Sequence, residues 1–479
     1  MPVQRRDALK TGLAATLAPF SFGCTTPAVQ AAVELRGTWL TTTANAAIAT
    51  PAASATTMQR LREIGLNTVY VESWKNGYTQ FPSQVLERTI GVAQRPGTAR
   101  QDPSEGSPPA ARDLLEETLI EAHRQGLNYI AWFEYGFMAA HGSTMNHLRR
   151  LKPEWLSRDR EGREVAPNGF VWMNPLRPEV RRFLLDLTLE AIGRYDLDGV
   201  QFDDRIVWPY VTMGYDEYTR AAYAAEHGGR QPPDDAREPS WMRWRADKLN
   251  ALAQDFATRL RAALPGRVLS LSPAVYPWSY EHYLLEWPAW ARWPQAARWT
   301  EFVPQAYRLS LPAFQATWRE QVQALQAGGA YRPRELIAGI RLVGEGRDSS
   351  WEQLRGSIEL TRQLGNGGHV LWFSRGVLEN FATELSALYA QGGAARSPFF
   401  PAGWRQRSRP LQARDGQRWA VPAAPAGRYR VIGHDGQRWH YLQDLALPGS
   451  TEVQLSARWR AAELLVDRRG EQPDEQRHG

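Results

Sequence analysis

Eight short apolar runs recur between residues 35 and 374, with helical or loop-and-helix stretches between them. They occupy residues 35–41, 68–74, 128–135, 197–205, 268–272, 302–307, 336–340 and 369–374. Runs this short and apolar read as strands covered on both faces, and strands that alternate with helices run parallel. Eight in succession predict an α/β fold, a (β/α)8 barrel of the TIM type. Helices are expected over 52–65, 113–126, 178–195 and 241–264, with a closing helix ending near Tyr389. A doubly wound open sheet is the rival, but it needs a glycine-rich phosphate turn after its first strand. That turn here would be Thr41-Thr42-Thr43-Ala44-Asn45, without glycine. Pro304 lies inside the sixth run, where a ladder N–H is lost.

The fourth run, Leu197-Asp198-Gly199-Val200-Gln201-Phe202-Asp203-Asp204-Arg205, ends in two adjacent carboxylates. Side chains alternate along a strand, so Val200 and Phe202 face the helices while Gln201 and Asp203 face inward. In such barrels the chemistry gathers where strands end. The strand ends here supply Glu72, Glu134, Asp203, Asp204, Gln305, Tyr307 and Ser374. Several carboxylates at one mouth suit glycoside hydrolysis, which needs a protonated acid for the leaving oxygen and a second group at the oxocarbenium-like centre. Repulsion between Asp203 and Asp204 would raise one pKa, as a general acid requires. The expected catalytic set is Asp203, Asp204 and Glu134. The expected sugar contacts are Glu72, Gln305 and Tyr307 with Trp39, Trp74, Trp208 and Trp372.

Each has a structural alternative. The Asp pair can cap a helix or hold Arg205. Glu134 and Glu72 can be partners of a loop cation, and Tyr307 a half-buried barrel aromatic. The chain has twenty Trp. Aromatic faces are stacking platforms for sugars, but most large aromatics fill cores. Trp287, Trp290 and Trp293 keep a helical spacing that also fits one packed face. His141, His147 and His282 lack a tight ligand motif, so no metal and no cofactor is expected.

The net charge of +6 is spread along the chain without a Lys/Arg block, which argues against nucleic-acid binding. The only cysteine, Cys24, rules out disulfides within the chain. The first 31 residues read as an export signal. Arg5-Arg6 precedes a mildly apolar run from Thr11 to Phe22, too short to span a membrane, in the manner of a twin-arginine signal. Ser21-Phe22-Gly23-Cys24 looks like a lipoprotein box, which would lipidate Cys24 and anchor the protein to a membrane. Cleavage after Ala31 is the other ending. The barrel should then span 32–392, followed by a Gly/Pro/Ser-rich linker at 393–401. A small all-β accessory domain is expected at 402–468, with Asp-Gly turns at 415–416 and 435–436, and a disordered tail at 469–479.

Several separated motifs, in order, resemble the family-10-like bacterial glycoside hydrolases. They are Arg36-Gly37-Thr38-Trp39-Leu40, Asn67-Thr68-Val69-Tyr70-Val71, Gly77-Tyr78 with Phe81-Pro82-Ser83, Ala131-Trp132-Phe133-Glu134, and Asp198 to Asp204. The resemblance spans about residues 34 to 390 and implies a barrel acting on a polysaccharide. In relatives with an assigned role that glycan is a cell-wall or exopolysaccharide chain with N-acetylated amino sugars, such as peptidoglycan strands stripped of peptide. A weaker likeness is to the family-18 chitinases, whose fourth strand reads Asp-Gly-x-Asp-x-Asp-x-Glu. Asp203 falls on the last Asp, Gln201 replaces the first, and Arg205 replaces the Glu. Substrate-assisted catalysis, with Asp203 and Tyr307 orienting an N-acetyl group, stays open on this comparison. A non-catalytic glycan-binding barrel, or a lyase or deacetylase on the same polymer, are the competing functions.

Overall fold

The computed structural model describes residues 32–96, 112–415 and 417–473. The export segment with Cys24, residues 97–111 of the loop after the second strand, and Gly416 of the first Asp-Gly turn lie outside the described residues.

The eight runs form one parallel sheet. Its strands are β1 (Leu35–Leu40), β2 (Thr68–Glu72), β3 (Asn128–Phe133) and β4 (Gly199–Phe202). β5 (Val268–Leu271), β6 (Glu301–Phe302), β7 (Ile337–Arg341) and β8 (Gly368–Trp372) complete it. The order is β6-β5-β4-β3-β2-β1-β8-β7. Parallel bridges Phe302–Leu336 and Gln305–Gly339 close the circle. β6 is shorter than the expected 302–307 because Pro304 has no N–H for the ladder. Its carbonyl instead accepts from the Gly339 N–H at 3.1 Å, which holds the irregular strand end against β7.

Helices α1 (Pro51–Ile64), α2 (Leu114–Arg124), α3 (Pro178–Arg194) and α4 (Pro239–Ala263) surround the sheet. α5 (Leu311–Ala327), α6 (Trp351–Gln363) and α7 (Ala382–Gln391) finish the ring. The boundaries follow from local chemistry. Thr50 and Asp113 accept N-cap hydrogen bonds from Ala53 and Glu116. Gly65 ends α1 in the left-handed region at φ 108°.

Alternation along β4 sets the inside of the barrel. Phe202 faces outward and packs edge-on against Phe256 of α4 at 6.2 Å. Gln201 faces inward, where its Oε1 accepts from the Trp39 indole N–H at 2.7 Å. Its amide donates to Ser270 Oγ at 2.8 Å, and that hydroxyl donates to Glu301 Oε1 at 2.5 Å. The Tyr70 hydroxyl donates to the same oxygen at 2.9 Å. Burial pushes Glu301 up to about 7 despite these two donors. At Gly199 an added Cβ would lie 2.5 Å from the Val268 carbonyl, so β4 and β5 approach only because a side chain is missing there.

The C-terminal segment is all-β, as the turn pattern predicts. β9 (Gly427–His434), β10 (Trp439–Leu447) and β11 (Ala461–Val466) pair antiparallel in a four-stranded sheet that Arg409–Pro410 completes, and a separate sheet has three strands. It packs on α2 through Ile120, Ile432, Trp439 and Leu465. Arg124 of α2 meets Glu463 at 2.9 and 2.8 Å. The linker is not a free spacer: Ala395–Arg396 pairs with Ala32–Val33. Nor is the tail free from residue 469. Arg469 donates to Asp467 and Asp444, and residues 474–479 of the expected tail lie outside the described residues.

The tightest link lies under β4. Arg405 Nη1 donates to Asp196 at 2.8 Å, and its Nε to Asp198 at 2.9 Å. The Trp404 indole N–H donates to Asp198 at 2.7 Å. All four residues are buried. Burial alone would raise Asp198, but Arg405 and His123 hold its carboxyl far below the ordinary range. Asp198 is thus an anchor at the foot of β4, at the opposite end from Asp203.

Candidate active site

Asp203, Asp204 and Arg205 follow β4 directly, and Glu134 follows β3. Pairing of β3 with β4 in register, Phe133 beside Phe202, brings the two strand ends together. Arg205 is the hub. Its Nη1 donates to Asp203 Oδ2 at 2.6 Å and to the Glu134 carbonyl at 3.0 Å. The same nitrogen stands 3.7 Å from Glu134 Oε1, and Nε 3.7 Å from Asp204 Oδ1. Gln305 donates to the other oxygen of Asp203 and to the Ser272 carbonyl.

The two aspartates are unequal. Asp203 is buried and takes a donor on each oxygen. Asp204 is about a quarter exposed at the mouth, and its Oδ1 has no hydrogen-bond partner among the described residues. Burial and mutual repulsion lift the pair above the usual aspartate range, against the pull of Arg205. Donors on Asp203 oppose that rise, and the two carboxylates share their protons as one titrating pair.

Glu134 is lifted too, by burial and by Glu72, against Lys75 and Arg205. Lys75 Nζ lies 3.2 Å from Glu134 Oε2 and 3.0 Å from Glu72 Oε2. Charges therefore alternate from Glu72 through Lys75, Glu134 and Arg205 to Asp203.

The sequence profile of the glycosyl hydrolase-like 10 family matches residues 34–341, well over half of the chain. The chain belongs to that family. It is 26% identical over 215 residues to glycosyl hydrolase YngK of Bacillus subtilis (strain 168), a match covering 44% of this chain and 38% of the relative. It is 25% identical over 202 residues to glycosyl hydrolase DigH of Escherichia coli (strain K12), covering 36% of this chain and 42% of DigH. The chain thus spans less than half the length of either relative. Two solved structures share the barrel. One is the PgaB (BpsB) glycoside hydrolase domain from Bordetella bronchiseptica, with a TM-score of 0.52 and 16% identity over 71% of this chain and 92% of that one. The other is the catalytic domain of a β-amylase from Paenibacillus polymyxa, with a TM-score of 0.51 and 11% identity over 75% and 98%.

In this glycosyl hydrolase-like 10 protein the other expected site residues separate into two groups. Gln305, Tyr307 and Trp372 stand at the mouth. Tyr307 and Trp372 are half-buried and stack at 6.0 Å and 28°. Burial and the two aspartates push the Tyr307 phenol well above its ordinary value.

The second group is sealed. Glu72 is fully buried and accepts from Thr41, Thr42, Lys75 and Gln80. Burial opposes its charge, but Lys75 and the Thr donors hold it down to about 2. Its place is to hold Lys75 rather than to meet a sugar. Trp39, Trp74 and Trp208 are no more than 1% exposed. Their N–H groups bond Gln201, the Gly136 carbonyl and the Met213 carbonyl. They are core, and no face is open for stacking. Trp287 and Trp290 are likewise buried, on one short helix.

His141, His147 and His282 bond Ser143, Tyr78 and the Trp278 carbonyl respectively, and are not brought together. Among the described residues no three His, Cys, Asp or Glu are grouped to hold a metal ion. Sequence reasoning missed Lys75, whose signal was its position three residues beyond Glu72. Tyr283, in the aromatic-rich loop after β5, accepts from the Asn168 amide at 2.9 Å, and its phenol is raised by burial and by the charge of Asp204.

Proposed function

We propose that the protein hydrolyses O-glycosidic bonds in a bacterial cell-wall or exopolysaccharide glycan that contains amino sugars. The observation that carries this is the unequal carboxylate pair on Arg205: one aspartate buried and clamped by two donors, its neighbour about a quarter exposed at the mouth. Asp204 gives its proton to the leaving oxygen as the bond to the anomeric carbon breaks. Asp203 stays ionised opposite the positive charge that develops there. Water adds to the anomeric carbon, and its proton returns to the carboxylate pair. Tyr307 and Trp372 form the wall against which the sugar ring lies.

The charge inventory supports the substrate class. Lys75 is already balanced by the sealed Glu72, so at the mouth Glu134, Asp203 and Asp204 face Arg205, and the mouth stays negative even with one shared proton. Neutral N-acetylated sugars and cationic amino sugars suit such a mouth better than uronic acids. The twin-arginine segment supports export to the cell envelope, with a lipid on Cys24 as the anchor.

The deciding experiment incubates the purified protein with N-acetylglucosamine oligomers, β-1,4- and β-1,6-linked, acetylated and de-N-acetylated, and with peptide-free peptidoglycan strands. New reducing ends are expected, and loss of that activity in Asp203→Asn and Asp204→Asn. Binding without products would make this a glycan-binding barrel, and unsaturated ends or free acetate would make it a lyase or a deacetylase.

A further inference from the structure

We propose that Trp278 is a distal sugar-binding platform, so that the site grips a chain of several pyranose units and not one linkage alone. This rests on the glycosidase reading above and adds a subsite to it.

Trp278 opens a short helix in the loop after β5, on the face where β4 delivers Asp203 and Asp204. It is 42% exposed, whereas Trp39, Trp74 and Trp208 are sealed. One ring face is covered by His282, stacked at 4.3 Å and 19°. Its edge meets Tyr283 at 5.4 Å and 64°. Beside these two contacts much of the residue stays open, and an indole offers a flat apolar surface of the shape that the C–H face of a pyranose covers.

The platform adjoins the loop that leaves Asp204. Tyr283, in contact with Trp278, meets Tyr210 of that loop at 5.5 Å and Trp172 at 6.1 Å. Trp172 and Tyr283 are buried and Tyr210 is half-buried, so this aromatic cluster supports Trp278, its exposed member.

It is also preorganised. The Trp208 N–H donates to the Tyr283 carbonyl at 3.1 Å, and the Val211 N–H to the His282 carbonyl at 2.7 Å. Ser279 Oγ donates to the Leu285 carbonyl at 2.9 Å. The loops after β4 and β5 are thus stitched together, so little ordering cost falls on a ligand.

The test compares two-unit and six-unit N-acetylglucosamine oligomers from the same four sets, using the full chain, Trp278→Ala and Trp278→Phe. Turnover is read as kcat and KM. Binding is read by calorimetry in the Asp204→Asn background, so that it does not depend on hydrolysis. For the six-unit chain, Trp278→Ala should raise KM and Kd about tenfold, the loss of ~1.4 kcal/mol, with kcat unchanged. The two-unit chain, which fills only the subsites on either side of the cleaved bond, is the internal reference and should change less than about twofold on the same scale. Trp278→Phe should keep most of the long-chain affinity. Equal losses at both lengths, or none at either, would overturn the platform while leaving the glycosidase standing. So would a halved solution mass in Trp278→Ala, which would make this face a contact between copies. If the unaltered protein neither binds nor cleaves any oligomer or peptidoglycan strand, the glycosidase reading falls and the platform with it.

Discussion

Arg205 reaches back past Asp204 to Asp203: Nη1 stands 2.6 Å from Asp203 Oδ2, while Nε is 3.7 Å from Asp204 Oδ1. Adjacent residues at one strand end are thereby held differently, one clamped and one at the mouth. Asp204→Asn should lower kcat on natural glycans by ~10²–10⁴-fold, the usual contribution of a general acid. An aryl glycoside with a good leaving group needs no such proton and should lose far less. Equal losses on both substrates would assign the acid elsewhere.

Removing the cation should move the pH profile upward. Both aspartates already sit above the ordinary range through burial and repulsion, with Arg205 pulling the other way. Arg205→Gln removes that pull, so protons leave at higher pH and both limbs of kcat/KM shift up, by about one unit or more. Arg205→Lys should shift them less. A profile unmoved in both variants would show that the pair does not titrate in the active range.

Glu301 makes stability pH-dependent from inside the barrel. Its folded value of about 7 lies above the reference 4.5, so the folded state holds the proton more tightly. That contribution is fully present below about 4.5 and is lost as pH rises through about 7. The cost on the alkaline side is about 3 kcal/mol. Glu301→Gln, which still offers Ser270 and Tyr70 an acceptor, should match the unaltered protein at pH 5 to within about 1 kcal/mol and exceed it at pH 8. Urea unfolding at the two pH values measures this. The same difference at both would sink the assignment.

Arg405→Met should cost ~3–5 kcal/mol, because it strands Asp196 and Asp198 as buried anions. Adding Asp196→Asn and Asp198→Asn should recover part of the loss. Denaturation midpoints of the two variants decide it, and a triple variant weaker than the single one contradicts the argument.

Much of the barrel was legible because buried parallel strands are short, apolar and alternate with helices. Asp203 followed from alternation alone: Gln201 points in, Phe202 out, and Asp203 in again. Glu134 and Gln305 followed from their places at strand ends. Burial of individual aromatics did not follow. Trp39, Trp74 and Trp208 carry the same side chain as Trp278 and differ only in what packs on them. Lys75 was hidden because it lies on a two-residue strand beyond β2, paired with Tyr78–Thr79, and strand periodicity does not reach it. The packed tail was hidden for another reason. Arg469 pairs with Asp467 beside it and with Asp444 on β10, and charge alone looks like solvated tail.

The Arg405 anchor also has a biosynthetic consequence. Asp198 and Arg405 are 207 residues apart. At ~5–20 residues per second, the foot of the strand that bears Asp203 leaves the ribosome roughly ten to forty seconds before its cation exists. Until then Asp196 and Asp198 lack the cation that joins them, although Tyr129 and His123 already stand beside Asp198 and Arg267 beside Asp196. The barrel's fourth strand is thus expected to settle late, when nearly the whole chain has been made. A nascent chain stopped before residue 405 should stay protease-sensitive around 196–205 even though all eight strands are already present.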